Sequence, residues 1–144
     1  MSNITHDQDF HAWTREQAAL LRTGQFTALD LDHLIEELES MGAREQRELT
    51  GRLKVLLAHL LKWQFQSQRR SAGWEATIRE ERLSLEDLLD HKPGLRLTLP
   101  AQIVRAYRLA RLLAVTETNL AESTFPATCP YAPAQVIDPD FYPG

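Results

Sequence analysis

The chain has 144 residues, 43% hydrophobic and 25% charged, with a formal net charge of −4. This is one domain's worth of ordinary globular sequence, which excludes general disorder. The charge also excludes bulk attraction to nucleic acid or to an anionic membrane.

Residues 1–8 are polar and read as a loose N-terminus. Asp9 is placed to cap a first helix over about residues 9–23. Its Phe10, Trp13, Gln17, Leu20 and Leu21 share a face, and Gly24 follows as a terminator. After a short connector, Asp30 can cap a long helix running to about residue 68. Leu31, Leu34, Ile35, Leu38, Met41, Leu49, Leu53, Leu56, Leu60 and Trp63 fall on one stripe that keeps its phase across Gly42 and Gly51. From Val55 to Trp63 the run VLLAHLLKW is apolar nearly all round, which places the domain centre near residues 55–65. The earlier half then either forms one arm of a hairpin or meets a second subunit.

A turn over Ser67 to Gly73 precedes a third helix, about residues 74–90, with Trp74, Ile78, Leu85, Leu88 and Leu89 on one face. A fourth segment begins near Pro93 and runs to about Asn119, with Leu95, Leu99, Ile103, Ala106, Tyr107, Ala110 and Leu113 as its stripe. Pro100 either kinks it or sits in its first turn with Thr98 as cap. The last twenty residues hold five of the seven prolines together with Phe125, Tyr131, Val136, Ile137, Phe141 and Tyr142. This predicts a proline-rich strap over 124–144, laid across the helices, with one turn of helix near Ala132 to Ile137. No stretch alternates with period two. The expected fold is all-α: one domain, a helical bundle around one long central helix and closed by the strap.

Charge is unevenly spread. Residues 1–50 carry 4 basic and 10 acidic side chains, residues 51–111 carry 12 and 6, and residues 112–144 carry 0 and 4. Acidic ends packing on a basic middle is the plainest explanation. Cys129 is the single cysteine, so no internal disulfide is expected, in keeping with a reducing cytoplasm. The start lacks the features of a signal peptide, and no run of apolar residues is long enough for a membrane span.

Several polar residues invite a chemical reading. Glu45, Arg52 and His59 interrupt the long stripe at spacing seven, Glu48 lies four before Arg52, and Glu81 interrupts the stripe of the third helix. A His59–Glu81 acid/base pair beside Arg52 is one possibility; an ion network that fixes helix register is the other. Lys62, Arg69, Arg70, Arg79 and Arg82 lie among Trp63 and Trp74, which suits phosphate capture or base stacking. Cation–π packing of the same groups against the core is the plainer explanation, since the net charge is negative and no nucleic-acid motif is present. Arg105, Arg108 and Arg111 are expected to be solvated. His33 with Glu36, Glu37 and Glu39 has ligand-like spacing. Bundle metal sites, however, need Glu-x-x-His pairs on facing helices, which the chain lacks, so neither metal nor cofactor is expected. Cys129 has no histidine nearby in sequence, and no phosphate loop or nucleophile elbow occurs.

The segments DFHAWTREQAALLRTGQF, LDLDHLIEELESMG, LLAHLLKWQFQ, RRSAGWEATIREER and FPATCPY…DPDFYPG, in that order, resemble the bacterial family called domain of unknown function 29. The resemblance spans about residues 9–143. It implies an all-helical cytoplasmic protein of cyanobacteria and proteobacteria, and carries over no activity and no catalytic residues. His33 stands where the family pattern has Asn. The functional expectation is a non-enzymatic protein-interaction module, homodimeric through residues 31–53. The alternatives are a small-molecule or phosphate-binding enzyme using Arg52, His59, Arg70, Trp74, Arg79, Arg82 and Glu81, and nucleic-acid binding at the Arg/Trp turn.

Overall fold

The computed structural model describes residues 4–144. The chain is all-α, with no strand among the described residues: α1 is Phe10–Arg22, α2 Leu31–Phe65, α3 Ala72–His91, α4 Leu99–Thr118 and α5 Pro133–Ile137. Single 3₁₀ turns lie at Phe26–Ala28, Ser67–Arg69 and Glu122–Thr124, and a longer one spans Pro93–Thr98. No helix among the described residues is long and apolar enough to cross a membrane.

Local chemistry sets the helix ends. The Asp9 carboxylate accepts from Ala12 N–H at 3.1 Å and starts α1. At the other end Gly24, at φ 72°, donates to Leu21 O while Gln25 donates to Leu20 O, the paired bonds of a Schellman turn. Ser71 caps α3 by accepting from Trp74 N–H at 3.1 Å, so that helix starts two residues before the position read from its apolar face. Pro100 lies in the first turn of α4, where its missing N–H costs nothing. Thr98 does not cap α4 through its side chain; its hydroxyl donates to Leu95 O at 2.7 Å. The fourth helix therefore begins at Leu99 rather than near Pro93.

The chain divides into two compact units: the residues up to Arg44, and Glu45–Gly144. In the first, Trp13 is buried and its indole N–H donates to Asp30 at 3.0 Å, while the buried Gln17 amide oxygen accepts from Asp30 N–H at 2.8 Å. The N-terminal reading needs correction here. Residues 1–3 lie outside the described residues, but the Thr5 carbonyl accepts from Asp9 N–H, and the His6 ring sits on Phe10, Trp13 and His33. Aromatic contact, invisible in a polar sequence string, holds this turn.

In the second unit the part of α2 from Leu49 onward is the centre. Leu56, Leu57, Ala58, Leu60 and Leu61 have no exposed surface and cover more than half of the helix circumference, while Val55, His59 and Trp63 on the remaining side are partly exposed. They share a core with Ile78, Leu85 and Leu89 of α3, Ile103, Ala106, Tyr107 and Ala110 of α4, and Phe125, Tyr131 and Val136 of the strap. Arg111 is not solvated as expected: it holds the strap by donating to Phe125 O at 3.0 and 3.2 Å and pairing with Glu122 at 3.1 Å. The basic middle and the acidic C-terminal stretch meet here, and again where Lys62 pairs with Glu117.

Candidate functional site

The structure separates the polar residues singled out above into distinct clusters. Arg52 lies 3.5 Å from Glu48 and 3.6 Å from Glu81, ion pairs without a good hydrogen bond. Burial raises the Glu81 carboxyl, and the Arg52 charge opposes that rise. Glu45 pairs with Lys92.

His59 joins neither group. Its Nδ1–H donates to Val55 O at 2.9 Å, one turn back on its own helix, and its charged neighbours are Lys62 and Glu117. Lys62 is 5% exposed, pairs with Glu117 at 2.6 Å and sits 4.8 Å over the Trp74 ring. Trp74 is thereby engaged by a cation of its own chain. Arg70 is engaged too: it stacks 4.9 Å over Trp63, donates to Trp63 O at 2.8 Å, and reaches the carbonyls of Pro143 and Gly144.

Burial pulls the His59 imidazole below its ordinary 6.5, helped by the Lys62 charge and opposed by the Val55 carbonyl and Glu117. As pH falls, the unfolded chain takes up this proton first. His59 therefore contributes stability that is complete above about pH 6.5 and lost below it. His6 acts in the opposite sense, because the Glu37 and Asp7 carboxylates raise its pKa; its contribution is present below pH 6.5 and is lost as pH rises through the raised value. The difference between wild type and His59→Gln isolates the first effect. The variant is expected to lose less stability between about pH 7 and about pH 5 in urea melts; parallel profiles would contradict a neutral His59.

Arg79 and Arg82 do share a concavity. A cavity of about 420 Å³ lies between α3 and the strap, with Glu75, Arg79, Arg82 and Glu86 on one wall and Ile137, Pro139, Asp140 and Tyr142 on the other. The four α3 residues recur at helical spacing, so they present one face. Arg82 is 4% exposed. Its Nε donates to Val136 O at 3.0 Å, Nη2 donates to Gln135 O at 3.3 Å, and the guanidinium lies 5.5 Å over Tyr142. Its Nη1 is buried and has no hydrogen-bond partner. Burial lowers the Arg82 pKa, against the countering field of Tyr142, Asp138 and Asp140. Three carboxylates against two guanidiniums line the space, a balance that repels phosphate more than it attracts it.

The stack of His6 on His33 escaped the sequence reading; a histidine in a polar N-terminus carries no periodic signal. The first third of α2 is uncovered, the part that the sequence leaves either as one arm of a hairpin or against a second subunit. Leu31, Ile35, Leu38 and Met41 are 58%, 51%, 66% and 57% exposed, whereas Leu49 and Leu53 on the same stripe are fully buried. Of the apolar stripe over 31–53, only the part from Leu31 to Met41 therefore lies at the surface, because Leu49 and Leu53 are interior.

The chain matches the family model Domain of unknown function DUF29 over residues 5–142 and belongs to that family. No curated protein and no solved structure matches it.

Proposed function

We propose that the chain is a non-enzymatic protein-interaction module that self-associates through the exposed stripe of α2. The supporting observation is the row Leu31, Ile35, Leu38 and Met41, each more than half exposed on one helix. A contiguous apolar row of this kind marks an interaction surface on a water-soluble protein. Acid/base chemistry has less support, since His59 lies with Lys62 and Glu117 while Glu81 lies with Arg52.

Charge selects the occupant. The stripe is accompanied by Asp32, Glu36 and Glu39, all exposed. On α4 the exposed residues Val104, Leu109 and Leu112 alternate with exposed Arg105 and Arg108, neither of which has an ion-pair partner among the described residues. An acidic apolar row and a basic apolar row on the same chain make a second copy the complementary partner.

Sedimentation of the full chain at high micromolar concentration is expected to show dimers or larger species. Leu38→Glu and the double variant Arg105→Glu/Arg108→Glu should each be monomeric, with stability changed by less than about 0.5 kcal/mol. Mixing the two variants leaves one α2 row and one α4 row intact and should restore a dimer. A monomeric wild type at those concentrations would overturn the proposal, and a mixture that stays monomeric would overturn the α2–α4 pairing.

A further inference from the structure

The unit that ends at Arg44 gathers two histidines and three carboxylates that sequence spacing keeps apart. His6 and Asp7 come from the turn before α1, Asp30 precedes α2, and His33 and Glu37 lie in its first two turns. One ring nitrogen of each histidine and one Asp7 carboxylate oxygen all lie within 4.8 Å of one another.

We propose that His6, Asp7 and His33 bind one divalent transition-metal ion of the zinc class. The hydrogen bonds around the trio carry the argument. His33 Nδ1 is 2.8 Å from Asp30 Oδ2, and the Trp13 indole N–H, donating to the same oxygen at 3.0 Å, holds that carboxylate still. His33 therefore donates from Nδ1 and keeps its lone pair on Nε2. His6 Nε2 is 2.6 Å from Glu37 Oε1, which leaves Nδ1 facing Asp7 Oδ1 at 2.9 Å. In each case a carboxylate fixes the tautomer and the opposite nitrogen is left for a ligand, the arrangement seen around metal-bound histidines. The ion takes the place of the proton that His6 Nδ1 shares with Asp7.

Two imidazoles and one carboxylate suit zinc, cobalt or nickel, and three protein ligands leave a coordination position for water. The ligand atoms must close from 4.8 Å to the separation of neighbours on one ion. Asp7 can supply that motion, since its side chain is 86% exposed. The rings stack face to face at 4.4 Å with planes 10° apart, so the histidines are already neighbours and must tilt out of the stack to aim both lone pairs at one ion. This site differs from the His33–Glu36–Glu39 spacing weighed above: its other two ligands come from the N-terminal turn.

The test is calorimetric titration of chelator-treated full-length protein with zinc chloride, with cobalt absorption reporting the coordination. One ion per chain is expected, with a raised Tm. His33→Asn and Asp7→Asn should each weaken binding by about tenfold or more, and Glu37→Gln by about tenfold through the tautomer of His6. His11→Asn and His91→Asn should leave it unchanged. Asp7→Asn changes an exposed side chain, so a loss of binding in that variant cannot be ascribed to unfolding. Absence of zinc binding, or binding that persists at full stoichiometry and affinity in Asp7→Asn and His33→Asn, would overturn the proposal.

Discussion

Leu61→Ala is expected to lower the unfolding free energy by about 3 kcal/mol, read as a shift in the urea midpoint without a change in slope. Leu61 has no exposed surface, although it lies well round the helix from the stripe of Leu49, Leu53, Leu56 and Leu60. A one-sided amphipathic helix would place such a residue in water, where truncation costs little. Here α2 is covered on the Leu61 flank as well as along its stripe, so the lost methylenes leave a cavity in packed interior. Leu38→Ala serves as the comparison. It removes the same atoms from the same helix, but Leu38 is 66% exposed, and the expected loss is under about 0.5 kcal/mol. Equal costs for the two substitutions would refute the burial pattern.

Arg82→Ala should cost about 3 kcal/mol and accelerate proteolysis of the chain beyond Phe125. The guanidinium bridges α3 to two carbonyls at the end of α5, Gln135 and Val136; the first also accepts from Asp138 N–H, while the second lies in the last turn, where a short helix has no N–H of its own to offer. Its loss strands the Val136 carbonyl, leaves Gln135 O with only the Asp138 N–H at 3.3 Å, and removes a cation from a helix C-terminus. The gain from the contacts is moderated by burying a charge that has one unpartnered nitrogen. Lysine should rescue little, because a single ammonium cannot reproduce the fork that reaches two carbonyls. A change below about 0.5 kcal/mol in Arg82→Ala would mean that burial cancels the contacts entirely.

Helices were legible in the sequence because their signals are local. Asp9 and Gly24 bracket α1 through bonds to residues at most five away, and the stripe of α2 persists from Leu31 to Trp63 because side-chain direction follows from 3.6 residues per turn. The all-round apolar run VLLAHLLKW announced burial by composition alone. The polar partnerships were another matter. Arg82 meets Val136 across 54 positions, Lys62 meets Glu117 across 55, and His6 meets Glu37 across 31. No local pattern distinguishes these pairings from Arg82 with a ligand, or from His59 with Glu81.

The sequence by itself determined the helical class, most helix ends, the apolar faces and the site of the core, since each depends on propensity and periodicity within a few turns. Only the tertiary structure decided which stretch of a face is covered. Leu38 and Leu49 occupy one stripe, yet the first is exposed and the second buried, because periodicity sets the direction of a side chain and not the presence of a neighbour. It likewise decided which charges pair, since an ion pair or a metal-ligand set depends on where distant segments come to rest.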